Sequence, residues 1–395
     1  MSDTTTPVIV AACRTAVGKY LGGLSPLTAP QLGAIVVREA VKRAGIYGDS
    51  IDEVILGHVL QGGTGQAPAR QALIHGGIPG TVPALTINKV CGSGLKAVML
   101  AAQSIKAGDA QCVVAGGMES MSGAPHYLYN YRGGIKAGDQ TIVDGMIRDG
   151  LWDSFGNNHM GEYAEYTADK AGITRAEMDE FSAASHRKAI AAQATGKFDA
   201  EIVPVEISGK KGPTIIKLDE GPRSDTSVEV LAKLKASFRK DGRVTAGNAP
   251  GLNDGASALV VTSAAYAKTH GLKVLARITG YATGGGEPKD LFFAPIHAVQ
   301  NLMKKTGKSI GDYGLIEANE AFAVQAIADG RGLNWDWDRV NVNGGAVALG
   351  HPIGASGARI LTTLLYAMAD RKVNTGLATL CLGGGNAVAL SVEIG

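Results

Sequence analysis

Three residues stand where a folded chain can do covalent chemistry. Cys91 lies in Asn88-Lys-Val-Cys-Gly-Ser-Gly-Leu95, between a strand-like apolar run and a segment whose apolar residues recur at helical spacing. A thiol attacks as its thiolate, and N–H groups at a helix start favour that anion, so the position suits a nucleophile and predicts a lowered pKa. His351 follows Asn343-Gly-Gly-Ala-Val-Ala-Leu-Gly350 and precedes Pro-Ile-Gly-Ala-Ser-Gly357, a turn of the same kind. Cys381 sits between the apolar residues 377–380 and Gly383-Gly384-Gly385, where bare backbone is open to a ligand. Asn319, in Glu317-Ala-Asn-Glu-Ala-Phe-Ala323, puts a polar pair at another strand-to-helix junction, where an N-cap and a functional role are both compatible. The other two cysteines, Cys13 and Cys112, read as core.

A rival reading shares the first turn. Gly92-Ser-Gly94-Leu-Lys-Ala97 fits a dinucleotide-binding turn, with Glu119 as the acid for a ribose hydroxyl. Against it, the third glycine is missing and Glu119 follows Gly116-Gly117, which reads as a turn. Phosphate-loop, GxSxG and EF-hand patterns do not occur, which removes motif support for ATP hydrolysis and serine-hydrolase chemistry. Without a CxxC pair, an HExxH or a Cys/His cluster, no metal site is expected. Lys+Arg 38 against Asp+Glu 36 gives a net charge of +2, which favours neither nucleic acid nor a membrane surface. The start of the chain lacks a basic leader, and no apolar run reaches about 18 residues, so a reducing cytoplasm with free thiols is the expectation.

The elements that must position these residues alternate strand and helix. Residues 7–13, 53–60, 84–90 and 111–115 read as strands, with helices over 30–44 and after Gly94, which predicts a parallel sheet covered by helices. Residues 119–250 are more polar and carry two amphipathic helices, near 160–171 and 175–194. Strands return at 258–262, 275–279, 313–317 and 338–342, before a last helix and two terminal strands. The stretch around Cys91 echoes the stretch around His351, so two similar halves around a polar insert is the simplest description. With 395 residues, 45% of them hydrophobic, the chain can fill two such cores.

Taken together, Asn88-Lys-Val-Cys-Gly-Ser-Gly94, Gly116-Gly-Met-Glu-Ser-Met121, Val244-Thr-Ala-Gly-Asn248, Leu252-Asn-Asp-Gly-Ala256, Glu317-Ala-Asn-Glu-Ala-Phe322, Gly350-His-Pro-Ile-Gly-Ala-Ser-Gly357 and Cys381-Leu-Gly-Gly-Gly385 resemble the thiolase family, within it the short-chain biosynthetic type. The resemblance implies an α/β fold, a duplicated αβαβα five-layered core of two five-stranded halves with an inserted α+β loop domain. It divides the chain into 1–119 plus 251–273, the loop domain 120–250 covering coenzyme A, and 274–395. It implies a homotetramer, a dimer of dimers, with Tyr131-Arg-Gly-Gly-Ile-Lys-Ala-Gly138 as the tetramerisation segment.

The implied reaction is the reversible condensation of two acetyl-CoA to acetoacetyl-CoA and CoA, in fatty-acid metabolism, with CoA thioesters as substrates and no tightly bound cofactor. By family analogy Cys91 is the nucleophile, His351 takes its proton, and Cys381 is the general base for the second acetyl-CoA. His351 and a water on Asn319 bind the enolate oxygen, and the N–H groups of Cys91 and Gly383 bind the tetrahedral oxyanion. His159, Met160, Leu151, Phe238, Ala246, Ala321 and Arg223 are carried over as contacts for CoA and its acyl group, and Leu291 and Phe293 join the expected pocket wall. Pro250 stands where the family has a serine, and Phe292-Phe293 where it has smaller residues, which bears on CoA affinity and acyl length. A broader 3-ketoacyl-CoA thiolase and a non-catalytic CoA- or lipid-binding relative are the alternatives.

Overall fold

Strand segments that are apolar along their whole length bury both faces, which requires a sheet covered on both sides. The computed structural model describes residues 3–210 and 212–395. Its nine principal strands are, in chain order, β1 (Pro7–Thr15), β2 (Glu53–Gly57), β3 (Ala84–Ile87), β4 (Cys112–Ser120), β5 (Asn253–Ser263), β6 (Ala276–Gly285), β7 (Leu315–Ala318), β8 (Thr375–Leu382) and β9 (Asn386–Glu393). Side by side they run β7-β8-β9-β6-β1-β5-β4-β2-β3.

The path divides into two similar halves. In the first, β2 lies parallel to β3 and β4, and β5 then β1 follow antiparallel. In the second, β7 and β8 are parallel, and β9 then β6 follow antiparallel. The halves join where β1 meets β6 through Val8 opposite Arg277 and Ile9 opposite Ala276. The sheet is therefore mixed, not parallel as the alternation implied. A tight turn such as 383–385 between β8 and β9 can only make antiparallel neighbours.

The strand expected at 338–342 is reduced to a single bridge between Val340 and Ile316. Asp336 caps a 3-10 turn over Trp337–Arg339, and Asn341 stands at a φ of 45°. The Asn341 side chain accepts from the Ala318 N–H at 2.9 Å and donates to the Ala318 carbonyl at 2.8 Å, taking the place of a strand's peptide groups. The second half thus has four full strands where five were expected. Gly116 and Gly117 likewise lie inside β4, not in a turn. A Cβ on Gly117 would fall 2.0 Å from the Gly354 carbonyl oxygen, so the bare strand lets the following layer rest on it.

Among the described residues eight helices have eight or more residues: α1 (Ala29–Ala44), α2 (Pro68–His75), α3 (Ser93–Ala107), α4 (Met160–Ala171), α5 (Arg175–Ala194), α6 (Ala294–Thr306), α7 (Ala323–Leu333) and α8 (Ile353–Arg371); all but α4 and α5 complete a five-layered core. Helices α1 and α2 cover the first half from outside, and α6 covers the second with α7 beside it. Between the two half-sheets lie α3 and α8, in one core with residues of both. After β4 the chain leaves the sheet for a more polar region carrying α4, α5 and small two-stranded ribbons, and returns at β5. Among the described residues no helix is long and apolar enough to cross a membrane.

The two central helices touch through reciprocal small residues. A Cβ on Gly94 would meet the Ala358 nitrogen at 2.7 Å, and one on Gly357 would meet the Leu95 nitrogen at 2.3 Å. Backbone cannot retreat as a flexible side chain can, so overpacking there is transmitted to both layers. Gly357→Ala should lower stability by about 2–3 kcal/mol, read as a fall in the urea midpoint, whereas Gly133→Ala, which has open space around it, should leave the midpoint unchanged.

Candidate active site

The turn before α3 holds Cys91 in place by hydrogen bonds within itself. Ser93 Oγ accepts from the Lys89 N–H at 2.8 Å and donates to the Val90 carbonyl at 2.6 Å, and Asn88 Oδ1 accepts from the Val90 N–H at 2.9 Å. Val90 is thereby kept at a φ of 46°, a left-handed conformation that costs a β-branched residue on the order of 1–3 kcal/mol. The corresponding turn before α8 is fixed by Asn253, whose Oδ1 accepts from the His351 N–H at 2.8 Å. Gly350, at a φ of 109°, leaves no room for a Cβ beside that asparagine. Cys381 ends β8, and the chain turns sharply behind it through Gly384 and Gly385, each at a φ of 81°.

Folding brings Cys91, His351, Cys381 and Gly383 to one cavity of about 250 Å³. Leu151, His159, Met160, Phe238 and Ala321 also line it, together with Leu291. His159 starts α4, its Nδ1 accepting from the Gly161 N–H at 3.0 Å, and its ring stacks on Phe238 with centroids 4.8 Å apart. Asn319 is fully buried behind the cavity, with Nδ2 3.5 Å from both ring nitrogens of His351. Its Oδ1 makes no hydrogen bond within the protein. It caps no helix: α7 begins four residues later and has no side-chain cap. Arg223 and Ala246 lie apart, in a neighbouring depression that shares Ala249, Gly251 and Leu252 with the cavity. Arg223 is solvated there beside Asp225.

Burial sets the charges. It pushes the Cys91 thiol up to about 12, although the N–H groups of Cys91 and Gly383 face the sulfur and pull the other way. The lowered pKa expected at this helix start is therefore not found: desolvation outweighs the two N–H groups. Burial, then the nearby Arg359 guanidinium, takes His351 down to about 3. Cys381 is held well above the usual thiol range by burial and by its neighbour Cys91. At neutral pH the site is therefore a set of uncharged donors and acceptors.

The rival dinucleotide reading fails, and one expected wall residue is replaced by its neighbour. Glu119 is fully buried and accepts from the N–H groups of Val59 at 3.2 Å, Leu60 at 3.2 Å and Gly354 at 2.9 Å, so it pins the start of α8 and cannot reach a ribose. Of the glycines in the dinucleotide-like turn, Gly94 serves helix packing against Ala358 and Gly92 makes room for the Leu382 side chain of β8. Phe293 is outside the cavity, beneath the Lys170 ammonium at 5.2 Å, and its neighbour Phe292 forms the wall instead, edge-on to Phe322 at 5.3 Å. Other participants escaped notice altogether: Met146, Ile147 and Ile353 complete the apolar lining, and Ser356 Oγ lies 2.6 Å from His351 Nδ1. Spacing does not expose Ser356, which stands five residues beyond a histidine that lies outside the helix, so the i,i+3 and i,i+4 pairing of a helix face does not link them.

Comparison with known proteins bears on this arrangement. Residues 7–265 match the thiolase N-terminal domain and residues 272–394 the thiolase C-terminal domain. The chain is 55% identical over 386 residues to the acetyl-CoA acetyltransferase of Pseudomonas aeruginosa and 54% identical over 387 residues to that of Cupriavidus necator, covering 98% of each chain in both cases. It superposes on the crystal structure of the Bacillus anthracis acetyl-CoA acetyltransferase with a TM-score of 0.97 at 43% identity, covering 98% of both chains. A doubled half-fold, paired helices carrying cysteine and histidine to one cavity, and these matches along nearly the whole length place the chain in the thiolase family.

Proposed function

We propose that the protein is an acetyl-CoA C-acetyltransferase, joining two acetyl-CoA into acetoacetyl-CoA and CoA through an acetyl-cysteine intermediate, and running in reverse as a thiolase. The observation that carries the reading is the meeting of Cys91, His351 and Cys381 in a small apolar cavity, in a chain more than half identical to enzymes bearing that name. The same three side chains speak against a non-catalytic binding protein.

The hydrogen bonds around His351 support a role for it as base toward Cys91. Ser356 donates its single hydroxyl proton to the Pro352 carbonyl at 2.9 Å, so toward His351 it acts as acceptor and the imidazole carries its proton on Nδ1. Nε2 then carries the lone pair that can take the Cys91 proton, with the Asn319 amide a long 3.5 Å away. Because thiol and imidazole both rest uncharged, we assign the proton transfer to the moment of attack on the thioester, with the imidazolium then protonating the departing CoA thiolate. The N–H groups of Cys91 and Gly383 favour negative charge at the sulfur, which suits them to the oxyanion formed there. A Cβ on Gly383 would touch nothing in the protein closer than Val90 Cγ1 at 3.4 Å, so the absence of a side chain serves the cavity. With CoA gone, His351 Nε2 is again available to take the Cys381 proton; the Cys381 thiolate then removes the α-proton of the second acetyl-CoA, the carbanion attacks the acetyl-Cys91 carbonyl, and the Cys91 thiolate so expelled recovers a proton from the imidazolium.

The neighbouring depression with Arg223 and Ala246 suits the nucleotide end of CoA, with the pantetheine passing Ala249, Gly251 and Leu252. Phe292, Leu291 and Met160 make the acyl end short and apolar. We assign residues 1–119 with 251–273 and 274–395 to the two catalytic halves and 120–250 to the CoA cover. The exposed apolar side chains Tyr129, Tyr131, Ile135 and Ile142 support assembly of a cytoplasmic tetramer through that cover.

Three measurements test the reading. Incubation with acetyl-CoA should add one acetyl group at Cys91 by mass spectrometry, with label elsewhere or nowhere overturning the mechanism, and Cys91→Ser should lose about a thousandfold or more in rate. Ser356→Ala should lower kcat about tenfold, the worth of one hydrogen bond that orients the base, with KM for acetoacetyl-CoA little changed. Thiolysis should be fastest with acetoacetyl-CoA and fall about tenfold or more for the six-carbon 3-ketoacyl-CoA; an equal rate would point to the broad degradative type.

A further inference from the structure

Asp329, on α7, is completely buried, and among the described residues no cation pairs with it. Its Oδ2 accepts from Gln325 Nε2 at 2.5 Å, while its Oδ1 makes no hydrogen bond. Gln325 in turn accepts, through Oε1, the N–H of Ala321 at 2.9 Å. Ala321 is a wall of the catalytic cavity and stands two residues after Asn319. Cys381 shares one buried cluster with Ala323, Val324, Ile327 and Ala328 of the same helix, and the Asp329 charge, were it present, would oppose a thiolate at Cys381. An isolated buried carboxylate is expensive, and two negative charges in one dry volume more so.

Other charged groups of the elements around α7 have partners of their own or are solvated. Glu165 on α4 accepts from the Arg243 and Val244 N–H groups, Asp179 on α5 pairs with Arg175, and Asp290 pairs with Lys170. Glu177 pairs with Arg331, and His297 on α6 is exposed. Among the described residues nothing in this surround neutralises a charge on Asp329.

We propose that Asp329 is a positioning residue for the Cys381 step: an un-ionised acid that anchors the Asn319–Ala321 turn through Gln325 and leaves Cys381 the sole site of negative charge in that volume. The inference rests on the reading of Cys381 as base, and it adds a residue the reaction itself does not touch. An amide has the shape of the acid and no charge, so it should substitute for it. A leucine has the size and lacks the anchor.

Asp329→Asn and Asp329→Leu are compared in two assays, acetylation of Cys91 by acetyl-CoA and full turnover of acetoacetyl-CoA with CoA, with Cys381→Ala alongside. The expected result is that Asp329→Asn stays within about twofold in both assays, while Asp329→Leu acetylates normally and loses about tenfold in kcat of turnover. If Asp329→Asn is as impaired as Asp329→Leu, the group works as an ion and the proposal falls. It falls equally if Asp329→Leu turns over normally while Cys381→Ala does not. Normal turnover by Cys381→Ala would instead overturn the base assignment. Should the leucine variant not fold, Gln325→Leu cuts the same anchor and is expected to give the same split between the two assays, a uniform loss in both counting against the proposal.

Discussion

The contact on which the rest depends is the crossing of α3 and α8 at bare backbone. Each helix starts two residues after its catalytic residue, and each presents a glycine to the other near its start: Gly94 to Ala358, Gly357 to Leu95. That approach puts Cys91 and His351 within one small cavity although 260 residues of sequence separate them. Everything else at the site adjusts to this distance. Glu119 ties the α8 start to the loop after β2, Asn253 holds the His351 backbone, and Gly117 lets the helix lie against β4.

A dry site follows from the same geometry, and dryness decides its electrostatics. The helix starts and the N–H groups of Cys91 and Gly383 favour anions, but they act on groups from which water has been removed, and desolvation is the larger effect. Charge is kept one layer further in. Arg14 is fully buried and bonds Glu201 and Asp219 at 2.6 Å each, and Arg359 lies 3.6 Å from Glu317, whose carboxyl burial raises to about 8. Arg359 then helps keep His351 neutral. A resting site of uncharged groups, supplied with N–H donors, is suited to an anion that exists only during reaction.

Much of this was legible in the chain. Cys91, His351 and Cys381 were recognisable because glycines flank all three at the ends of apolar runs, and that pattern survives into the fold. The rest depended on angles no pattern carries. Phe292 and Phe293 differ by one residue on a 3-10 turn, and only its rotation decides which enters the cavity. The strand at 338–342 has the right composition, yet Asn341 satisfies Ala318 with its side chain and ends the ladder. Glu119 reads as a ligand-binding acid in sequence and proves to be a backbone acceptor. The thiol's pKa was misjudged because helix position is visible in sequence whereas burial is not.

The joining of the half-sheets has a consequence for how the molecule comes apart. Strands β1 and β6 meet over two residue pairs only, so the halves are fastened chiefly by α3 and α8, which are common property of both cores. Neither half can open without stripping a helix from the other. Opening of the polar cover or of an outer helix leaves that shared core intact. Cleft breathing for substrate entry and the integrity of the reacting groups belong to separate cooperative units of one chain.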